Sequence, residues 1–263
     1  MVVVTELVDA SIAELRAIHD RLATLAKDAS PDQLSAQSGA EDWKIADVLS
    51  HLGSGAEIGR HPLAAATGAS DDAPSNQEVW DRWNALPPSE QATGFRASDE
   101  RLVSAYEELT PDQRSSLEID LGFLPHPVPL ATSLGMRLNE TALHAWDVEV
   151  GLDPSAGLSD ESARLLLDHF SSTMTFLLGF VGKSDGVPAA RVAVAGTHTI
   201  VLDPDEGVRL EAGIDGATAT LDAPPEAAVR LLAGRLKPAY TPAGVSVTGN
   251  VTLDDLRKVF PGY

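Results

Sequence analysis

Apolar and polar positions along the chain follow two different periods. In the first two-thirds they step by three and four. Val8, Ile12, Leu15, His19, Leu22 and Leu25 make one stripe, with Glu14, Asp20 and Lys27 away from it. That is the period of an amphipathic helix. Ser30-Pro31-Asp32-Gln33 puts a capping serine before a proline, with a glutamine three residues on. This is a helix-start signature, and Thr110-Pro111-Asp112-Gln113 repeats it. The same pattern predicts helices at about 42–60, 77–92, 95–109, 130–150 and 160–180, and loops at 68–74 and 122–129 on Gly and Pro content.

Past 183–188 (KSDGVP) the character changes. Short β-branched runs at 191–195, 197–202, 208–212 and 217–221 are separated by Gly, Asp and Pro, which predicts an antiparallel meander. A helix at 225–233 opens on Pro224-Pro225 and stops at Gly234. A strand near 245–248 and a closing helix capped by Thr252 follow. The expected architecture is α+β in two domains, a helical bundle over 1–183 and a small α+β domain over 189–263.

Composition narrows the chemistry. The 263 residues include no cysteine, which excludes disulfides, thiolate metal sites and a cysteine nucleophile. Any metal must sit on His, Asp or Glu, and any thiol must come from outside. With 19 Lys+Arg against 39 Asp+Glu, the formal net charge is −20. Nucleic acid and anionic membrane both need a basic patch, so neither is an expected partner. The N-terminal MVVVTELVDASIAELRAI has no basic n-region, and no apolar run reaches the roughly 18 residues of a membrane span. A cytoplasmic protein is expected, monomeric or a small homo-oligomer. There is no G-x-G-x-x-G, P-loop or G-x-S-x-G motif to suggest nucleotide or serine-hydrolase chemistry.

Candidate chemistry concentrates in MRLNETALHAWDVEVG, residues 136–151. At roughly 100° per residue, Arg137, Glu140, His144 and Asp147 fall in one narrow stripe with apolar residues on both sides. A solvated polar face explains that poorly, since enclosed charges need partners or a metal. Glu140 and His144 stack on adjacent turns, a spacing that helical bundles use to chelate an ion. Asp147 is placed to accept the other imidazole N–H of His144. The alternative is an internal Glu–His–Arg ion-pair network, with Arg137 pairing to Glu140 or Asp147 in a structural role. In DWKIADVLSHLGSGAEIG, residues 42–59, His51 lies at the edge of the core stripe. It is either a packed histidine or the third member of a two-His, one-carboxylate set suited to zinc or another divalent metal. His19 reads as a packed core histidine and His126 as exposed, while Trp80, Trp83 and Phe95 read as core.

At these residues the sequence resembles the mycothiol-dependent maleylpyruvate isomerase-like proteins of actinobacteria, within the wider DinB-like bundle superfamily. The matching residues are Trp43, Asp47, His51 and Leu52, then Arg137, Glu140, His144, Asp147 and Val148. Leu231-Leu232-Ala233-Gly234-Arg235 and Val247-Thr248-Gly249-Asn250 match as well. The resemblance implies a divalent metal, usually zinc, at His51, Glu140 and His144, with Asp147 and Arg137 behind them. It implies a DinB-like bundle followed by a sterol-carrier-like domain covering the metal pocket, and mycothiol as cosubstrate. The implied reaction is thiol addition to an activated double bond, rotation and elimination. A dicarboxylate-like acceptor needs a cation, and Arg235 is the candidate catalytic residue; its other reading is a helix C-terminal arginine complementing the dipole. Two alternative functions stand beside the isomerase: a mycothiol S-transferase on another small electrophile, and a non-enzymatic small-molecule or lipid-binding protein with a structural metal.

Overall fold

Side-chain caps start several helices where the sequence signals them. In the computed structural model, which describes residues 4–69 and 73–262, α1 (Val4–Asp28) is followed by α2 (Pro31–Leu34), whose cap Ser30 forms a reciprocal box with Gln33. Then come α3 (Ile45–Ala66), α4 (Asn76–Asn84), α5 (Pro88–Glu107) and α6 (Pro111–Ser116), the last boxed by Thr110 and Gln113. A two-residue pairing of β1 (Glu118–Ile119) with β2 (Val128–Pro129) leads into α7 (Leu130–Val150). The expected loop at 68–74 lies partly outside the described residues.

The chain divides into two compact units, Met1–Ala156 and Gly157–Tyr263. In the first, α3 packs along α5, α1 against α7 and α5, and α3 against α7. Leu15, Ile18, Leu22, Ile45, Leu49, Leu52, Phe95 and Leu134 fill the core, each such side chain stabilising by roughly 1.5–3 kcal/mol. Trp83 and Phe95 are buried as expected, whereas Trp80 is exposed. Gly53 lets α3 approach Trp83, since a Cβ there would sit 2.3 Å from the indole ring.

Two expected helices are divided differently. The span 77–92 breaks at residues 85–87 because Pro87 is extended (φ −67°, ψ 155°) and Pro88 takes the first helical position of α5. The span 160–180 becomes α8 (Asp160–Ser171) and α9 (Thr175–Val181). Ser171 and Ser172 both donate their hydroxyls to the Asp168 carbonyl, an alternative to continuing the backbone ladder.

In the second unit α8 packs on α10 (Pro225–Leu232) and on the sheet, and α9 on the sheet. The observed division therefore falls before α8, whereas 183–189, the boundary expected from the sequence, lies inside this unit. The sheet comprises β3 (Ala190–Val194), β4 (His198–Asp203), β5 (Gly207–Ala212), β6 (Ala219–Asp222) and β7 (Ser246–Gly249), in the order β5-β4-β3-β6-β7. α11 (Leu253–Val259) closes the chain, capped by Thr252. The meander holds for β3, β4 and β5, but β6 pairs with β3 in parallel. Residues 213–218 make that crossover, and the Arg191 guanidinium holds the Asp215 carbonyl along the way. Among the described residues no helix is long and apolar enough to cross a membrane.

Candidate metal centre

Local structure delivers each side chain of the site. Asp47 accepts the Lys44 backbone N–H at 2.8 Å and fixes the first turn of α3, one turn before His51. The loop ahead of α3 is docked on α7: Gly39 donates its N–H to the Asp147 carbonyl at 2.7 Å. A Cβ at Gly39 would lie 2.9 Å from Asp147 Oδ1, so only glycine permits this approach. Ser38 Oγ and Gln37 Nε2 both donate to the Trp43 carbonyl, which holds Trp43 at the mouth of that loop.

These supports bring His51 of α3 to Glu140 and His144 of α7. One donor atom from each lies within 4.8 Å of the other two. A common point therefore exists within about 3 Å of all three, against metal–ligand distances near 2 Å. His51 Nε2 faces Glu140 Oε1 at short hydrogen-bond range, and His144 Nε2 lies 3.4 Å from the same oxygen. Burial works against the Glu140 carboxylate charge, but hydrogen bonds from His144 and His51 hold its pKa well below the usual range.

Asp147 is 1% exposed and its Oδ2 lies 2.8 Å from His144 Nδ1. A carboxylate only accepts, so Nδ1 carries a proton toward Asp147, and Nε2 is the nitrogen turned to the site. Trp43 packs on both rings, stacked with His144 at 5.7 Å and tilted over His51 at 4.9 Å. Sequence periodicity did not assign Trp43 to the site; the W-x3-D-x3-HL spacing was the signal that contained it. Glu57, which follows on α3, is engaged elsewhere by Arg82 and Trp83 Nε1.

Arg137 is not paired with Glu140 or Asp147, as its own helix suggested. Its Nη2 donates to Asp99 Oδ1 at 2.7 Å and to the Leu52 carbonyl at 3.3 Å. Asp99, 1% exposed, is held from the other side by His19 Nδ1 at 2.8 Å, and His19 Nε2 faces Glu100 at 2.9 Å. Burial opposes the Asp99 charge, yet His19 and Arg137 keep its pKa below the ordinary value. His19 is thus a buried, doubly engaged histidine, and its partners on α5 were not visible in its own helical stripe.

Arg235 belongs to the second unit. Gly234 (φ +70°) ends α10, with Arg235 N–H donating to the Arg230 carbonyl at 2.7 Å and Gly234 N–H to Leu231 at 2.9 Å. That is a Schellman cap, and it accounts for the AGR sequence. The half-buried Arg235 side chain donates to the Ala233 carbonyl at 3.3 Å, which is the dipole-complementing contact. In the other matched segment, Asn250 bridges Thr218 Oγ1 and the Ala189 carbonyl, a structural clasp between strand ends.

Fold and site together define a helical unit that converges two imidazoles and a carboxylate on one point, followed in the chain by a unit built on a five-stranded sheet. The chain belongs to the mycothiol maleylpyruvate isomerase N-terminal domain family, whose model matches residues 15–149. That span contains every residue of the triad and Asp147. Among solved structures it is similar to a mycothiol-dependent maleylpyruvate isomerase, at 19% identity and a TM-score of 0.62 over 94% of this chain and 96% of that one. A histidine-to-alanine mutant of that enzyme matches at 18% identity and a TM-score of 0.61, with the same coverage. No curated protein matches by sequence.

Proposed function

We propose that this protein is a divalent-metal-dependent enzyme that uses mycothiol, of the maleylpyruvate isomerase type. We likewise read the first unit as a DinB-like bundle and the second as sterol-carrier-like. The observation that carries the proposal is the convergence of His51, Glu140 and His144, inside a family match that spans them.

The donor set suits zinc: two imidazoles and a carboxylate leave positions open, as catalytic sites do. When bound, such an ion supplies Lewis acidity that lowers the pKa of a thiol from its usual value of about 8.5. Asp147 holds a proton on His144 Nδ1, so Nε2 is the nitrogen that would meet the metal. Trp43 packs against the rings of both histidines and limits their rotation. Arg235 is the cation assigned to the acceptor's carboxylates and developing enolate. In this reading, thiol adds to the activated double bond, the resulting single bond rotates, and elimination returns the isomer and the thiol.

The test is isomerisation of maleylpyruvate by the full chain, followed with mycothiol present or omitted and with metal stripped or restored. Turnover is expected only with both. Full activity in the metal-free protein would sink the proposal. Turnover of halogenated or epoxide acceptors without maleylpyruvate turnover would move the assignment to an S-transferase.

A further inference from the structure

We propose that Arg137 and the hollow left by Gly55 form a carboxylate-binding subsite for the acceptor, next to the metal ligands. This rests on the metal-centre reading above. Gly55 lies four residues after His51 on α3, and Arg137 three residues before Glu140 on α7. Each is therefore one helical turn from a ligand, and on a helix residues at these spacings share a face.

The Arg137 side chain is only 10% exposed. Both of its hydrogen bonds leave from Nη2, to Asp99 and to the Leu52 carbonyl. Nη1 faces Gly55 instead: a Cβ built there would meet Nη1 at 3.3 Å and nothing else within 4 Å. A glycine in mid-helix costs roughly 1 kcal/mol against alanine, and here it leaves room in front of a guanidinium. Nη1 is not among the fully buried polar atoms without a partner, so its donors stay open to an incoming acceptor. A carboxylate matches that fork in shape and charge.

The arginine is also braced. Asp99 lies behind it, fixed by His19, which in turn reaches Glu100, and Glu100 pairs with Arg16 at 2.6 Å. One edge of the guanidinium is thus held by the protein while Nη1 stays directed at the hollow.

The experiment titrates maleate, without thiol, into the zinc-loaded and the metal-free full chain by calorimetry. It compares wild type, Gly55→Leu and Arg137→Lys, with dimethyl maleate as uncharged control and zinc content measured for each. Gly55→Leu fills the hollow with a good helix former and leaves Asp99 and the metal ligands themselves unchanged in sequence. Expected is a loss of maleate affinity of about tenfold or more in Gly55→Leu, with zinc content unchanged. Arg137→Lys is expected to weaken maleate as well, and neither variant to alter the response to dimethyl maleate. Equal maleate affinity in Gly55→Leu and wild type overturns the subsite, as does the absence of maleate binding by wild type in both metal states. If the chain takes up no zinc, the metal reading fails by itself, and the metal-free titrations still decide the subsite.

Discussion

Arg230 in the second unit is buried and Arg137 in the first is half-buried, and they use their donors differently. Arg230 meets Glu226 through Nε and Nη2, at 2.7 and 2.9 Å, and gives Nη1 to the Tyr240 carbonyl at 2.8 Å. All three nitrogens are engaged by protein. Arg137 meets Asp99 and Leu52 through Nη2 alone. A buried charge closed on its partner serves the fold, since breaking it leaves an uncompensated ion. An arginine with a nitrogen left over can still take a carboxylate. The same contrast runs through the carboxylates: Glu226 is consumed by its arginine, while Glu140, Asp147 and Asp99 are arranged around imidazoles.

The largest expected effect tests the closed pair. Arg230→Met should destabilise the protein by about 3–5 kcal/mol, because Glu226 loses its partner, and zinc uptake should be unchanged. Urea unfolding with parallel metal analysis checks both. A loss below about 1 kcal/mol would put the pair among surface bridges and remove the contrast.

Next comes the ring-orienting carboxylate. Asp147→Asn should weaken metal binding by about 10–100-fold, since an amide can donate to Nδ1 and reverse the tautomer. Competition against a chelator of known affinity measures it. Unchanged metal affinity would make Asp147 part of the fold only.

The smaller effect concerns the second unit's neutral buried histidine. His169 is fully buried, donates to or accepts from Thr173 Oγ1 at 2.7 Å, and burial lowers its pKa to about 4. Between pH 6.5 and 4 the unfolded chain binds this proton and the folded chain does not, so stability falls as pH drops through that window. At pH 5 this amounts to about 2 kcal/mol. In His169→Asn the fall in stability from pH 7 to pH 5 should shrink by that amount. An identical fall in both proteins would mean that the folded site accommodates the charged ring.

Much of this was legible from local chemistry. The boxes Ser30–Gln33, Thr110–Gln113 and Thr252–Asp255 form at the residues that signal them. The stripe on α7 does hold Glu140, His144 and Asp147 together, because helical phase alone determines which side chains share a face. What was missed is non-local. Arg137 pairs with Asp99 across to α5, a partner 38 residues away in the chain, and no periodicity reports that. The parallel pairing of β6 with β3 skips over β4 and β5, whereas a strand pattern fixes faces but not neighbours. Pro87-Pro88 was a local signal of a different kind: a helix start read through as helix interior. The division of the chain before α8 depends on which surface that amphipathic helix covers, and its own stripe is equally compatible with either.

His51, Glu140 and His144 are proposed to form one metal site. The most direct test is a zinc titration of the metal-free full chain by calorimetry, beside His51→Ala, with circular dichroism to verify the fold. The expected result is one zinc ion per wild-type chain and none held by a folded His51→Ala. Equal zinc stoichiometry and affinity in the two proteins would contradict the claim.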